Sequence, residues 1–218
     1  MKFCQKKLYA LIQGILNFFY PTLCLICSEK SNAFLCPCCF DLLAPPNPDF
    51  RCRHCFRESA ARICTRCLRK PFLSAPRAVL FQNSPLALKI AALVYRGDEV
   101  FMKTMFSFCM VLWSRLDWPT PYCIIPLPSL RFKSAVSDLA REFASLLSVP
   151  FNEFLKLRWE GLFRWKLTST QDCFLENRDL LLIDFGSDLA WQRAALREIQ
   201  RSFPRSIHIF SIFETNIE

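Results

Sequence analysis

Apolar positions along this chain follow two periods, one helical and one extended. Leu8, Leu11, Ile12, Ile15, Leu16 and Phe19 fall on a single helical face. They predict an amphipathic N-terminal helix over residues 1–20. Pro85 to Tyr95 reads as a helix ended by Gly97, and Glu99 to Leu116 as a second, largely apolar helix. Val136, Leu139, Ala140, Phe143, Leu146 and Leu147 space a third, which stops before Pro150. The short apolar runs Tyr122 to Leu127, Leu180 to Asp184 and Ile207 to Phe213 read as buried strands, with a helix from Asp188 to Phe203 between the last two. Strand, helix and strand with short connections predict a parallel sheet, so residues 77–218 are expected to form one α/β domain.

Residues 21–70 follow neither period and are organised by cysteine instead. The pairs Cys24/Cys27, Cys36/Cys39, Cys52/Cys55 and Cys64/Cys67 are each C-x2-C. Eight residues separate the first pair from the second and the third from the fourth, so the module is an internal repeat of C-x2-C-x8-C-x2-C. A C-x2-C turn presents two sulfurs to one metal, and two such turns complete a tetrahedron. The expectation is two structural zinc ions in closed Cys4 sites; disulfides or an iron–sulfur cluster are the alternatives. The repeat suggests one ion per half, with interleaved pairing left open. Cys38 is a spare thiol, and His54 is an alternative ligand whose expected place is toward solvent. Lys70 to Pro76 links this module to the α/β domain.

Composition narrows the class. Of 13 cysteines, ten fall within the first 67 residues, a clustering that favours metal ligation in a reducing compartment over a secreted disulfide scaffold. The formal charge is +9; eight thiolates binding two Zn²⁺ lower it by four, to +5. The chain stays basic, which suits a nucleic acid or another anionic surface. Arg51, Arg53, Arg57, Arg62, Arg66, Arg69 and Lys70 crowd the second half of the cysteine module, interleaved with Phe50, Phe56 and Phe72. Arginine with aromatic residues is the composition that follows a phosphate backbone and stacks bases. The competing reading is local, since each Cys4 zinc site carries −2 and nearby arginines offset it. Lys2, Lys6 and Lys7 before the first apolar run give a superficial likeness to a secretion signal. Gln13 and Asn17 interrupt that run, no small-residue cleavage site follows, and it is too short to span a bilayer. A cytoplasmic protein with this helix packed on its body is expected; peripheral membrane contact is the alternative. Only His54 and His208 are available as imidazoles, and no nucleophile–base pair points to another enzyme class.

An apolar helix, a proline, a double cysteine ribbon and an α/β domain together resemble the ComF family of competence-associated proteins. Leu93-Val94-Tyr95-Arg96-Gly97 is similar to that family's lysine–tyrosine–x–glycine region, and Ile124-Ile125-Pro126-Leu127-Pro128 to its proline-rich strand. Gln171 and Arg178 are similar to the glutamine and arginine after its T-x-x-Q motif. The resemblance implies an N-terminal double zinc ribbon followed by a type I phosphoribosyltransferase-like domain. In phosphoribosyltransferases the strand end matching Leu181 to Ala190 carries two acids and a Thr-Thr-Gly-x-Thr loop that grips a 5′-phosphate at a helix N-terminus. Here Asp184 matches the first acid, Phe185 stands at the second, the threonines are absent, and Ala190 replaces the loop glycine. Asp188 favours the dipole of the following helix but repels a phosphate there by about 1–4 kcal/mol. Arg131-Phe132-Lys133-Ser134-Ala135 departs from the family's Arg-Gly-Phe-Asn-Gln stretch.

The expectation is therefore a non-catalytic ComF-like protein that binds single-stranded DNA, another nucleic acid or a competence or recombination partner through its basic zinc module. Asp184 is the only vestigial catalytic candidate. The alternative is an active phosphoribosyltransferase with a rearranged site, in which Asp184 and Mg²⁺ hold phosphoribosyl pyrophosphate (PRPP). A structural scaffold docking a partner protein is the third reading.

Overall fold

The computed structural model describes residues 23–69, 75–82, 84–129, 133–159, 165–169 and 175–214. The expected N-terminal helix, Lys70, Gln171 and Cys173 lie outside the described residues. By packing, the chain divides into two compact units, Met1–Ala44 and Pro45–Glu218. This differs from the module of residues 21–70 expected from the cysteine repeat. The second half of that repeat is built into the α/β body, because its cysteines share that body's core.

The first unit contains α1 (Pro37–Leu42), opened by Cys36 as N-cap with Pro37 behind it. In the second unit a short 3₁₀ turn at Pro48–Phe50 leads to the third cysteine pair, and α2 (Thr65–Arg69) carries Cys67. Then follow β1 (Arg77–Phe81), α3 (Pro85–Tyr95), α4 (Glu99–Arg115), β2 (Cys123–Pro126), α5 (Lys133–Leu147), β3 (Leu155–Trp159), β4 (Trp165–Ser169), β5 (Asp179–Asp184), α6 (Leu189–Gln200) and β6 (Ser206–Phe213). Ser84 caps α3 through Ala87 N, and Asp98 caps α4 through Phe101 N at 2.8 Å. Gly97, at φ +73°, supplies the left-handed turn between these two helices.

Four strands form a parallel sheet in the order β1-β6-β5-β2, as the apolar runs predict for three of them. The fourth, β1, does not announce itself in the sequence. All five of its residues are buried, but it opens on an arginine and directly follows the expected linker, which ends at Pro76. The antiparallel hairpin of β3 and β4 is likewise unexpected. There Leu155, Leu157 and Leu167 turn inward while Lys156 and Lys166 face solvent, a two-residue period within only five residues per strand.

Strand alternation splits the core between the two sheet faces. One face joins Ile125, Leu182 and Ile209 to Leu196 and Ile199 of α6, to Leu167 of the hairpin, and to Cys52, Cys55 and Cys67 in one buried cluster. On the other, Phe210 packs 5.5 Å from Phe143 of α5, which meets Trp113 of α4 edge-on at 6.3 Å. Among the described residues no helix is long and apolar enough to cross a membrane.

Candidate metal centres and a closed strand-end site

The eight paired cysteines form two tetrads, Cys24/Cys27/Cys36/Cys39 and Cys52/Cys55/Cys64/Cys67. Pairing is therefore sequential, one tetrad per repeat, and the interleaved alternative falls away. Within each tetrad all sulfurs lie within 4.8 Å of one another. Cys27 Sγ to Cys36 Sγ and Cys55 Sγ to Cys64 Sγ are both 3.7 Å. Four sulfurs each about 2.3 Å from a central Zn²⁺ would lie about 3.8 Å apart, so the donor set and its spacing fit the ion.

The same backbone device builds both tetrads. Cys24 N donates to Glu29 O, and Ser28 N returns to Cys24 O; Cys52 N donates to Arg57 O, and Phe56 N returns to Cys52 O. Ser28 and Phe56 take positive φ, 61° and 62°, to close these knuckles. Burial raises the Cys24 and Cys52 thiols, but backbone amides outweigh it and hold them down to about 6 and 7. Burial and then neighbouring sulfurs push Cys39 up, and burial pushes Cys55 up with the adjacent Cys52 sulfur. Four close thiolates repel one another, and a central dication removes that conflict. His54 is not part of the tetrad. Nor is it wholly turned to solvent, since its Nδ1 is buried without a partner among the described residues. Cys38 is exposed and outside the first tetrad.

The strand-end site is organised inward. Asp184 ends β5 and is wholly buried. Its Oδ2 accepts from Gln192 Nε2 at 2.6 Å and from Ser211 Oγ at 3.2 Å, and its Oδ1 accepts from Ser187 N at 3.0 Å. Arg77 Nε donates to Ser211 Oγ at 3.2 Å, so a buried guanidinium is linked to the acid through one hydroxyl. Burial lowers the Arg77 pKa, and Asp184 opposes that shift.

The loop after β5 is filled by its own side chains. Phe185 is buried beside Phe213, and Gly186, at φ +97°, presses on Phe213 so closely that a Cβ would meet Phe213 Cβ at 2.9 Å. Asp188 is the N-cap of α6, its Oδ1 accepting from Trp191 N at 2.7 Å. Trp191 Nε1 then donates to Pro128 O at 3.0 Å, tying the first turn of α6 to the loop after β2. The amides of Ser187 and Trp191 are thus engaged by Asp184 and Asp188. Sequence reasoning missed Arg77, Gln192, Ser211 and Trp191 as members of this arrangement. The sequence carried no signal for these members, since the burial of Arg77, Gln192 and Ser211 is visible only in the structure.

The basic residues do not act alike. The side chain of Arg51 is only 11% exposed and pairs with Glu58 at 3.2 Å, so it is occupied in bracing its own ribbon. Arg53 is half-exposed with a loose 3.9 Å contact to Asp117, and Arg57 lies 3.9 Å from Glu214. Arg62, Arg66 and Arg69 are exposed. Arg178 lies 4.5 Å over the Tyr122 ring.

No family model matches the chain, and no curated protein does. Among solved structures it is similar to a purine phosphoribosyltransferase from Pyrococcus horikoshii, with 10% identity over 64% of this chain and 88% of that one, at a TM-score of 0.36. A hypoxanthine-guanine phosphoribosyltransferase of L. donovani gives 15% identity over 57% and 67%, at 0.31. A variant of Trypanosoma cruzi hypoxanthine phosphoribosyltransferase in complex with its product IMP gives 15% over 57% and 64%, at 0.34.

Proposed function

We propose that this chain is a ComF-type protein of DNA uptake or recombination that binds single-stranded nucleic acid and catalyses no phosphoribosyl transfer. The observation that carries the reading is the placement of Asp184. An acid that held ribose hydroxyls would face an open pocket at the strand end. This one is buried and held by Gln192, Ser211 and the Ser187 amide. With Phe185 at the second acid's place and Asp188 capping α6, an incoming phosphate meets a negative charge and engaged amides. The basic second ribbon supports the binding half of the reading, through its exposed arginines. Zinc in both tetrads would hold the ribbons folded and supply no chemistry, because a closed Cys4 site offers no open position.

Binding of a labelled oligo(dT) at increasing salt tests the reading. Affinity is expected to fall steeply with salt and to drop further when Arg53 and Arg57 become Ala. Salt-insensitive binding, or none at low salt, would sink it. Calorimetry with PRPP and Mg²⁺ is expected to show no heat of binding; measurable affinity would revive the transferase.

A further inference from the structure

The described residues enclose a cavity of about 250 Å³ where the second ribbon meets the start of β1, the end of α4 and β6. Its wall holds Arg51, Arg53, Arg62, Arg77 and Arg115 against two aspartates, Asp49 and Asp117, leaving a net of three positive charges. Arg51 is engaged as described. Arg77 is buried, with Nε on Ser211 and its Nη1 and Nη2 without a partner among the described residues. The exposed donors at the rim are Arg53, Arg62 and Arg115. No acid pairs with Arg62 among the described residues, and Arg115 makes only a long 3.4 Å bond to Pro45 O. The wall also carries an aromatic pair, Trp118 and His208, with ring centroids 4.8 Å apart. Both are half-buried, and burial lowers the His208 pKa, so its ring adds a face rather than a charge.

Cationic donors around a fixed aromatic face are the two elements that hold a nucleotide, one for the phosphate and one for the base. The volume lies below the roughly 300–1,000 Å³ of pockets for drug-sized ligands, which suits one nucleotide unit rather than a dinucleotide. We infer that this cavity seats one nucleotide of a bound single strand, its phosphate at Arg53, Arg62 and Arg115 and its base against Trp118. The inference rests on the nucleic-acid reading above and places the contact between ribbon and sheet rather than on the ribbon's outer face. Arg115, Trp118 and His208 lie far from the cysteine module in sequence, and only the fold brings them to it.

The test measures oligo(dT) binding by anisotropy at several salt concentrations for the full chain, Arg62→Ala/Arg115→Ala, Trp118→Leu and Arg201→Ala. Arg201 is a charge control, exposed on the turn after α6. The arginine double variant is expected to bind at least about tenfold more weakly, with a salt slope shallower by about 1.4, the loss of two phosphate contacts on a single strand. Trp118→Leu is expected to weaken binding about tenfold with the slope unchanged, because stacking releases no counterions. Arg201→Ala should stay within about twofold. Zinc content and thermal melting verify folding; should Trp118→Leu fail to fold, the exposed arginine pair decides alone. If the native chain binds but the arginine double variant matches Arg201→Ala, the cavity is not the site while the nucleic-acid reading stands. If the native chain does not bind even at low salt, both fall.

Discussion

Gln192 Nε2 lies 2.6 Å from Asp184 Oδ2, deep under α6, and this contact turns a strand-end acid from the surface into the core. Ser211 donates to the same oxygen and accepts from Arg77, so three strands and one helix meet at a single carboxylate. Removing one member of a buried charged network leaves its partner uncompensated, at a cost of about 3–5 kcal/mol. Asp184→Asn should therefore destabilise the α/β unit by about 3 kcal/mol in urea denaturation, and Asp184→Ala by more. A surface acid kept only for ligand binding would behave otherwise, with its removal neutral or stabilising.

The two cysteine tetrads are built alike but should not be equivalent. Cys52, Cys55 and Cys67 share a buried cluster with Ile125, Leu182 and Ile209, whereas the first tetrad belongs to the other compact unit. Elemental analysis is expected to give two zinc per chain. Cys27→Ser with Cys36→Ser should reduce this to one and leave the melting transition of the α/β unit within about 2 °C. Cys55→Ser should also lose one zinc, but should bring down the α/β transition with it, because a structural site of this kind contributes folding energy outright. Equal effects of the two variants on that transition would refute the asymmetry.

Legibility followed the physical cause of each element. The cysteine repeat was readable to the level of ligand sets because C-x2-C geometry is local. Helices α3 to α6 and strands β2, β5 and β6 were readable because apolar period and flanking glycine, proline or cap residues agree there. β1 was not readable, since its register depends on β6, more than a hundred residues away, and a buried arginine opens it. The strand-end site was half readable. Sequence places Asp184 and the missing threonines, but not that Gln192 and Ser211 reach the acid from inside. Arg51 and Arg53 look alike in sequence, and only Glu58 across the ribbon distinguishes the engaged one from the exposed one. The boundary between the halves of the cysteine repeat was hidden for the same reason, because tertiary contact alone assigns the second half to the sheet.

Asp179 gives a pH signature. It opens β5 under the Arg205 guanidinium and accepts from Ser206 Oγ at 2.7 Å. Hydrogen bonding from Arg205, against burial and with help from Ser206, holds its carboxyl down to about 2. A depressed acid stabilises the fold at pH above its unfolded value, near 3.9, and that contribution disappears as pH falls toward 2. Arg205 is 64% exposed, so solvent screening leaves about 1 kcal/mol at neutral pH. Asp179→Asn should thus be less stable than the native chain by that amount between pH 5 and 7. The gap should close between pH 4 and 2. The difference between the two proteins is the quantity to measure, since protonation of the cysteine tetrads is common to both. A gap that persists undiminished at pH 2 would remove the ion pair as its cause.

Two glycines with positive φ separate backbone strain from crowding. At Gly97, φ +73°, an added Cβ would have nothing within 4 Å, so Gly97→Ala meets only the left-handed penalty of about 1 kcal/mol. Gly186, at +97°, would place that carbon 2.9 Å from Phe213 Cβ and 3.2 Å from Phe213 O. Phe213 is in register with Phe81 of β1 and cannot move aside without pulling β6 from β1, so overpacking adds to strain for a total of about 2–4 kcal/mol. Thermal melts of the two alanine variants should show Gly186→Ala with the larger loss, by about 2–12 °C. Gly186→Ala should also weaken the Phe185–Phe213 contact that closes the strand end, and proteolysis there should accelerate relative to Gly97→Ala. Equal losses would mean that the turn after β5 yields freely, and would remove the claim that this turn is packed shut against a phosphate.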